Sequence, residues 1–188
     1  PMGLVWEGVK GKETLRAALD AAGWGLPKSS PNIGRGMAIY ERPAGAGKSS
    51  AALIFDPSIG PTLRVSIANC GQGAYTVLQQ IVAEKLGINT SQVSVQSADT
   101  TSELYDSGVG GSKTTNSAGN AAANAADLLL TRLTDAAAAE WKCPIDEIQY
   151  RNGGFIGPRE QILALADAAS LAARGGELIC TGKFDPPE

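Results

Sequence analysis

The stretch Cys70–Gly87, CGQGAYTVLQQIVAEKLG, constrains the fold most, because it joins a strand end to an amphipathic helix through a glycine turn. Upstream, Thr62–Ala68 alternates apolar and polar side chains, which is the period of a strand with one buried face. Downstream, apolar residues recur at three- and four-residue steps, at Tyr75, Leu78, Val82 and Leu86. Gly87 supplies a helix stop, so the sequence predicts a strand that leads directly into a helix.

The turn between these two elements is the first candidate binding site. Gly71 and Gly73 leave the backbone bare on both sides of Gln72, so a planar ligand could approach the main chain while the amide hydrogen-bonds it. The free N–H groups of the following helix add a partial positive charge there. The alternative interpretation is a tight strand-to-helix turn with an exposed glutamine, since glycine turns are common.

A second glycine-rich loop makes the binding interpretation stronger. Ser107–Asn116 reads SGVGGSKTTN and runs into Ser117–Lys142, a predicted alanine-rich helix. Bare amides, hydroxyls and one lysine at a helix entrance suit an anion, although a mobile surface loop would have the same composition. We expect the two loops to lie at the same end of a small sheet, where they could grip two parts of one phosphorylated cofactor.

The segment Ala44–Ser50, AGAGKSS, resembles a phosphate-binding P-loop but lacks two of its features. Arg42 stands where that motif needs a glycine. The segment also lies between two predicted strands, Gly36–Glu41 and Ala51–Asp56, whereas a P-loop opens a helix. The sequence therefore predicts a flexible hairpin connection here.

Composition excludes several classes of partner and chemistry. The net charge of -3 and the pI near 5.1 argue against nucleic acid or an anionic membrane as a partner. No apolar run has the roughly 20 residues that a membrane helix needs, and we expect a soluble, cytoplasmic protein. The absence of histidine excludes Ser-His-Asp and Cys-His catalysis. Three cysteines, widely spaced, suit buried thiols, and we expect Cys70 to face the core rather than to act as a nucleophile.

The remaining elements complete a predicted α+β fold, a two-layer structure with a mixed sheet and helices on one face. A helix over Lys12–Ala22 precedes a proline-rich linker, and a strand covers Gln92–Ala98. Asn152-Gly153 marks a hairpin, and Pro158 opens a helix. The face of that helix is predicted to carry Ile162, Leu165, Ala166 and Ala169. We predict a β-β-β-α-β-α core followed by a smaller hairpin-helix-strand unit that ends in the strand Glu177–Thr181. The predicted boundaries are 1–32 for a tail and linker, 33–143 for the core and 144–188 for an extension, open at its C-terminus.

Between Gly34 and Ala125 the chain closely resembles the molybdenum hydroxylases of the xanthine dehydrogenase and aldehyde oxidase family. The resemblance rests on motifs in the family's order and spacing, namely IGRGMAIY, GQGAYTVLQQIVAEKLGI, VSVQSADT and GGSKTTNSAGNAA. The Gly23-Trp24 pair and the hairpin around Asn152-Gly153 also fit. By this resemblance the chain is part of the molybdopterin-binding region of the large subunit.

The resemblance implies a role for each loop. Gly71, Gln72 and Gly73 would lie against the pterin of the molybdenum cofactor. The pterin and its phosphate would be held by Gly110, Gly111, Ser112, Lys113 and Thr114. The cofactor would be molybdenum-molybdopterin or its cytosine dinucleotide form. No direct metal ligand and no catalytic residue is expected in this chain, because the family's base belongs to a later segment.

The implied function is hydroxylation of an aldehyde or an aromatic N-heterocycle with oxygen derived from water. Implied partners are the remainder of the large subunit, iron-sulfur and flavin subunits or domains, and a small-molecule substrate. The chain alone would be inactive. The alternative is a non-catalytic module that binds a nucleotide or another phosphate ligand through the same two loops.

Overall fold

The computed structural model describes residues 8–40 and 45–186. The chain divides into two compact units, one up to residue 42 and one from residue 43, and each is described by itself. The helices and strands, in chain order, are α1 (Gly11–Ala21), β1 (Ser49–Asp56), β2 (Gly60–Val65), α2 (Ala74–Lys85), β3 (Ser94–Ser97), α3 (Thr114–Trp141), β4 (Gln149–Arg151), β5 (Gly154–Ile156), β6 (Ile162–Ala164), α4 (Leu165–Ala173) and β7 (Leu178–Phe184).

The first unit contains α1 and an extended segment. Arg35 holds the turn that follows this helix, since its guanidinium donates to the carbonyls of Trp24 and Leu26 at 2.8 and 2.7 Å. The predicted strand Gly36–Glu41 is wrong over residues 36–40, which form no regular structure and are exposed, while Glu41 lies outside the described residues. A strand needs a neighbour for its backbone N–H and C=O groups, and residues 36–40 pair with none of the described strands.

The second unit is built on a four-stranded mixed sheet with the order β3-β2-β1-β7. Strand β1 runs antiparallel to both β2 and β7, and β2 runs parallel to β3. The strand predicted over Thr62–Ala68 starts two residues earlier and ends at Val65. Ser66 leaves the sheet and donates its hydroxyl to the Leu104 carbonyl at 2.8 Å.

Helices α2 and α3 pack on one face of this sheet, which confirms the predicted α+β architecture. Small residues allow the closest contact: a side chain at Gly182 of β7 would place its Cβ 2.9 Å from the Cα of Ala125 in α3. The core between the layers is apolar, and its largest fully buried side chains include Leu53, Leu63, Leu78, Leu129 and Leu133. Burial of this apolar surface supplies the main stabilisation of the unit. Among the described residues, no helix has the length and apolarity needed to cross a bilayer.

The hairpin around Asn152-Gly153 is confirmed, because both residues have positive φ and join the antiparallel strands β4 and β5. The helix predicted from Pro158 is wrong in its first half. Residues 158–160 form a 3-10 turn, and Ile162–Ala164 forms β6, which pairs with β5. Ile162 is 79% exposed and shares no buried face with Leu165. Pairing with the free edge of β5 outweighs the helical pattern there, so α4 begins only at Leu165.

Candidate functional site

Both predicted loops leave the sheet at the same edge. Because β2 and β3 are parallel and Val65 pairs with Ser97, the chain emerges beyond the same edge after each strand. Strand β1 begins at that edge as well, since Ala51 pairs with Val65. The segment after β2 contains the GQG turn, and the segment after β3 leads to the GGSK loop, defined here as Ser107–Lys113.

The two helices that follow these loops run side by side in the same direction. A Cβ at Gly119 of α3 would lie 2.9 Å from Ile81 Cδ1 of α2. Further along both helices, Lys85 Nζ lies 2.8 Å from Asp127 Oδ2. The first residues of the two helices therefore lie at nearly the same height. Gly73, at the N-cap of α2, has no side chain to cap the helix, and Lys113, at the N-cap of α3, makes no side-chain cap hydrogen bond. The first N–H groups of both helices remain available to a ligand.

The GQG turn is held by the side chain of Gln72. Its Oε1 accepts a hydrogen bond from the Cys70 N–H at 2.6 Å, and its Nε2 donates to the Ala68 carbonyl at 3.1 Å. A primary amide has two N–H groups, so one donor of this exposed side chain is left for a ligand. Gly71 and Gly73 have φ values of 91° and 74°, and a Cβ on either would meet no atom within 4 Å. The turn therefore needs glycine for its conformation and leaves open space beside the main chain.

The expectation that Cys70 faces the core is wrong, because Cys70 is exposed. The strand ends at Val65, and in its alternation the buried positions are Leu63 and Val65, whereas Cys70 has the parity of the exposed Arg64. Cys143 is half-buried and Cys180 is buried, and all three thiols are free. Only one of the three cysteines therefore fits the predicted class of buried thiols.

The GGSK loop closes on itself through Lys113. The ammonium of this half-buried lysine donates to the Ser107 carbonyl at 3.1 Å and to its hydroxyl at 2.9 Å. An ammonium has three donors, so one remains for a phosphate oxygen. Gly111 and Ser112 have φ values near 60°, and α3 starts at Thr114, three residues earlier than predicted. Gly110 has open space around a notional Cβ, so the main chain there is accessible to a ligand.

A third segment lies against the GGSK loop, and the sequence interpretation missed it. Gly45 donates its N–H to the Gly111 carbonyl at 2.7 Å, and Lys48 accepts at its carbonyl from the Ser107 N–H at 3.0 Å. A Cβ at Gly47 would lie 3.1 Å from Lys113 Nζ. Residues 45–48 therefore brace the GGSK loop. They are not the predicted hairpin connection, because residues 36–40 form no strand.

The structure supports the exclusion of a P-loop in this segment. Residues 45–48 lead into β1 rather than into a helix. The ammonium of Lys48 pairs with the Asp185 carboxylate at 2.9 Å, and this hydrogen bond raises the pKa of Lys48. The glycines at alternate positions 45 and 47 are the sequence signal that could have indicated close packing against another backbone.

The ADT motif after β3 forms a local turn. Asp99 Oδ1 accepts hydrogen bonds from the hydroxyl and the backbone N–H of Thr101, at 2.5 and 2.9 Å. These bonds stabilise the carboxylate and lower the pKa of Asp99. Among the described residues, no group of three or more Cys, Asp or Glu side chains is placed to hold a metal ion. The groups offered to a ligand at this edge are therefore mainly amides, hydroxyls and one ammonium.

A cavity of about 670 Å³ lies at the opposite edge of the sheet, where β1 ends and β2 begins. It is lined by Pro57–Pro61, Gly87–Asn89 and parts of the hairpin unit. Neither the GQG turn nor the GGSK loop contributes to it. The candidate site, formed by the GQG turn and the GGSK loop, is thus an open surface and is distinct from this cavity.

Comparison with known proteins identifies the family. A family model described as the molybdopterin cofactor-binding domain matches residues 12–188. The chain belongs to this family. The resemblance to the molybdopterin-binding region of molybdenum hydroxylase large subunits is thereby confirmed.

Two curated proteins show the extent of the similarity along the chain. The chain is 30% identical over 186 residues to the probable hypoxanthine oxidase XdhD of Escherichia coli (strain K12), covering 94% of this chain and 20% of that protein. It is 30% identical over 122 residues to the nicotine 6-hydroxylase large subunit of Paenarthrobacter nicotinovorans, covering 64% and 15%. The chain therefore spans about one fifth or less of the length of these relatives.

Solved structures show the same fold as this molybdopterin cofactor-binding domain. Quinoline 2-oxidoreductase from Pseudomonas putida 86 superposes with a TM-score of 0.62 at 25% identity, over 75% of this chain and 19% of that one. Reconstituted CO dehydrogenase from Oligotropha carboxidovorans gives a TM-score of 0.68 at 24% identity, over 76% and 19%. The second likeness bears on the fold alone.

Proposed function

We propose that this chain holds one side of the molybdopterin cofactor in the large subunit of a molybdenum-dependent oxidoreductase. The observation that carries the proposal is the pair of uncapped helix starts, each preceded by a glycine turn, at one edge of the sheet. The family match over residues 12–188 supports a pterin cofactor as the ligand.

Each loop has a role in this proposal. Gly71 and Gly73 let the pterin approach the main chain, and Gln72 donates its remaining amide N–H to it. In the second loop, Gly110 and Gly111 give access to the backbone, while the hydroxyls of Ser112 and Thr114 and the third donor of Lys113 hold phosphate oxygens. The donors fit a cofactor that combines a hydrogen-bonding ring system with a phosphate. No residue of this chain is assigned as a direct metal ligand.

The bound cofactor would supply the oxidation of an aldehyde or an aromatic N-heterocycle with water-derived oxygen. The names of the relatives, a hypoxanthine oxidase and a nicotine 6-hydroxylase, support this class of substrate. The cofactor is either molybdopterin or its cytosine dinucleotide form. The proposed partners are the rest of the large subunit, iron-sulfur and flavin subunits or domains, and the substrate. Three free thiols support the proposed cytoplasmic location.

We further propose that the chain by itself has no hydroxylase activity. Its loops form a wall on one side of the cofactor, so much of the ligand would remain in water, and the entropy of ordering would go uncompensated. The base of the reaction belongs to a part of the enzyme outside the 188 residues. Purified chain that oxidised an aldehyde or a purine with an artificial electron acceptor would contradict this proposal.

The decisive experiment is Gly110→Ala in the full-length enzyme. A Cβ at Gly110 meets no atom of this chain within 4 Å, and Gly110 has no positive φ, so the fold tolerates alanine. A methyl group that displaces the cofactor at a cost of about 1.4 kcal/mol would lower its affinity about tenfold. We expect a lower molybdenum and phosphorus content per polypeptide, with an unchanged thermal midpoint.

The matched control is Gly25→Ala, which also has open space and no positive φ but lies far from the loops in sequence. Gly111→Val is less informative, because Gly111 has φ +60 and any side chain there is strained. Equal molybdenum content in Gly110→Ala and wild type would refute the role of the GGSK loop. Loss of a bound nucleotide, with no molybdenum in either protein, would instead favour the phosphate-binding module.

A further inference from the structure

Three buried oxygen atoms near the start of α3 lack hydrogen-bond partners. They are the hydroxyl of Ser49, the hydroxyl of Ser117 and Oδ2 of Asp106, none of which is paired within residues 8–40 and 45–186. Ser49 is 4% exposed and Ser117 only 1%. A buried polar atom without a partner carries a desolvation cost, so native proteins rarely leave such atoms unpaired.

Ser49 and Asp106 stand directly opposite each other. They form an isolated antiparallel bridge, flanked by bonds from the Ser50 N–H to the Tyr105 carbonyl and from the Ser107 N–H to the Lys48 carbonyl. This pattern is that of a non-hydrogen-bonded pair, in which the two side chains lie next to each other on one face. The serine hydroxyl and the carboxylate are therefore neighbours.

The face that carries this pair is the one covered by α3. Gly182 of β7 pairs with Ala51 of β1, and a Cβ at Gly182 would collide with the backbone of α3. Ala51 thus points toward α3. Side chains two residues apart on a strand share a face, so Ser49 points toward α3 as well, and Asp106 with it.

The direction and register of α3 place Ser117 over this pair. Helix α3 runs antiparallel to β7. Arg132 donates to the Ile179 carbonyl, and Asn124 donates to the Lys183 carbonyl, both at 2.8 Å. Ala121 and Ala125 of α3 make the contact at Gly182, and Ser117 lies one helical turn before Ala121, a shift of about 6 Å. The corresponding step on β1, from Ala51 to Ser49, is about 6.6 Å. The two shifts match, so the three unpaired oxygens converge beneath the first turn of α3.

We infer that these three oxygens hold one buried water molecule. Buried waters in proteins make about three hydrogen bonds to polar groups that lack other partners, and this cluster offers that number. The water would tie the start of α3, directly after the GGSK loop, to the beginning of β1. Its presence does not depend on cofactor binding, and its role is to hold the helix start in position.

The test uses Ser117→Ala and Ser49→Ala in the full chain, with the thermal midpoint as the measurement. If water fills the site, each alanine removes one of its partners, and we expect the midpoint to fall by about 2 to 4 °C. If the hydroxyls are unpaired, alanine removes a desolvation cost and the midpoint rises. Ser170→Ala, an exposed helical serine, is the control and should leave the midpoint nearly unchanged.

A high-resolution crystal structure of the full chain gives the second readout. Electron density within about 2.7 to 3.2 Å of all three oxygens supports the inference. The inference would be overturned if the thermal midpoint rose for Ser117→Ala and fell for Ser49→Ala, with no electron density at the site. That result would indicate a direct hydrogen bond from the Ser49 hydroxyl to Asp106 and no water. A midpoint that is higher in sodium chloride than in choline chloride at equal ionic strength would identify a cation instead, and would overturn the water.

Discussion

The contact between Gly45 and the GGSK loop can be tested by adding a single methyl group. In Gly45→Ala the new Cβ would lie 2.9 Å from the Gly111 carbonyl oxygen and 3.2 Å from Lys113 Cβ. The oxygen belongs to the backbone and cannot rotate away, so the loop must move. This shift weakens the 2.7 Å bond from the Gly45 N–H to the same carbonyl. Loss of that bond and overpacking together would cost about 2.5 kcal/mol.

Differential scanning calorimetry of the full chain measures this cost, and we expect a midpoint about 5 to 10 °C lower. The same substitution in the full-length enzyme should lower its molybdenum content, because the displaced loop no longer presents Gly110–Thr114 to the cofactor. Gly34→Ala, which has open space around its Cβ and no positive φ, is the control for adding a methyl group at a glycine. A midpoint within 1 °C or so of wild type in Gly45→Ala would show that residues 45–48 do not brace the loop.

Two further predictions concern the scaffold. In Gly182→Ala the Cβ would lie 2.9 Å from Ala125 Cα, so α3 must move away from β7; we expect a cost of about 3 kcal/mol in denaturant unfolding, and a free energy equal to that of wild type would contradict this packing. Tyr150 donates its hydroxyl to the Leu86 carbonyl, and burial raises the pKa of Tyr150 from 10.0 to about 12. The pKa of Tyr150 is higher in the folded state than in the unfolded state. The contribution of the neutral tyrosine to folding stability is therefore complete below pH 10 and is lost as pH rises from 10 to about 12. The loss should be about 1 kcal/mol, since partial exposure screens the effect, and Tyr150→Phe should flatten the stability profile between pH 10 and 12; the same slope in that variant would refute the assignment.

Features that depend on neighbouring residues were predictable from the sequence alone. The GQG turn, α2 and its stop at Gly87 follow from glycine positions and a helical period that operate within a few residues. The Asn152-Gly153 hairpin is equally local, because positive φ at both residues selects the turn. The common edge of the two loops also followed, once each was placed between a strand and a helix. The motifs that indicated the molybdenum hydroxylase family lie in these same elements.

The tertiary structure decided the features that depend on distant partners. The sequence predicts a strand that includes residues 36–40, but no described strand pairs with them, whereas Ile162–Ala164 becomes β6 because β5 offers it an edge. The bracing of the GGSK loop by Gly45 joins residues 66 positions apart, and the hydroxyls of Ser49 and Ser117 are buried only in the packed fold. Local sequence often allows a strand, a helix or a loop at similar free energy. Which one forms depends on whether a distant part of the chain supplies a hydrogen-bonding or packing partner, and the packed fold alone determines where that partner lies.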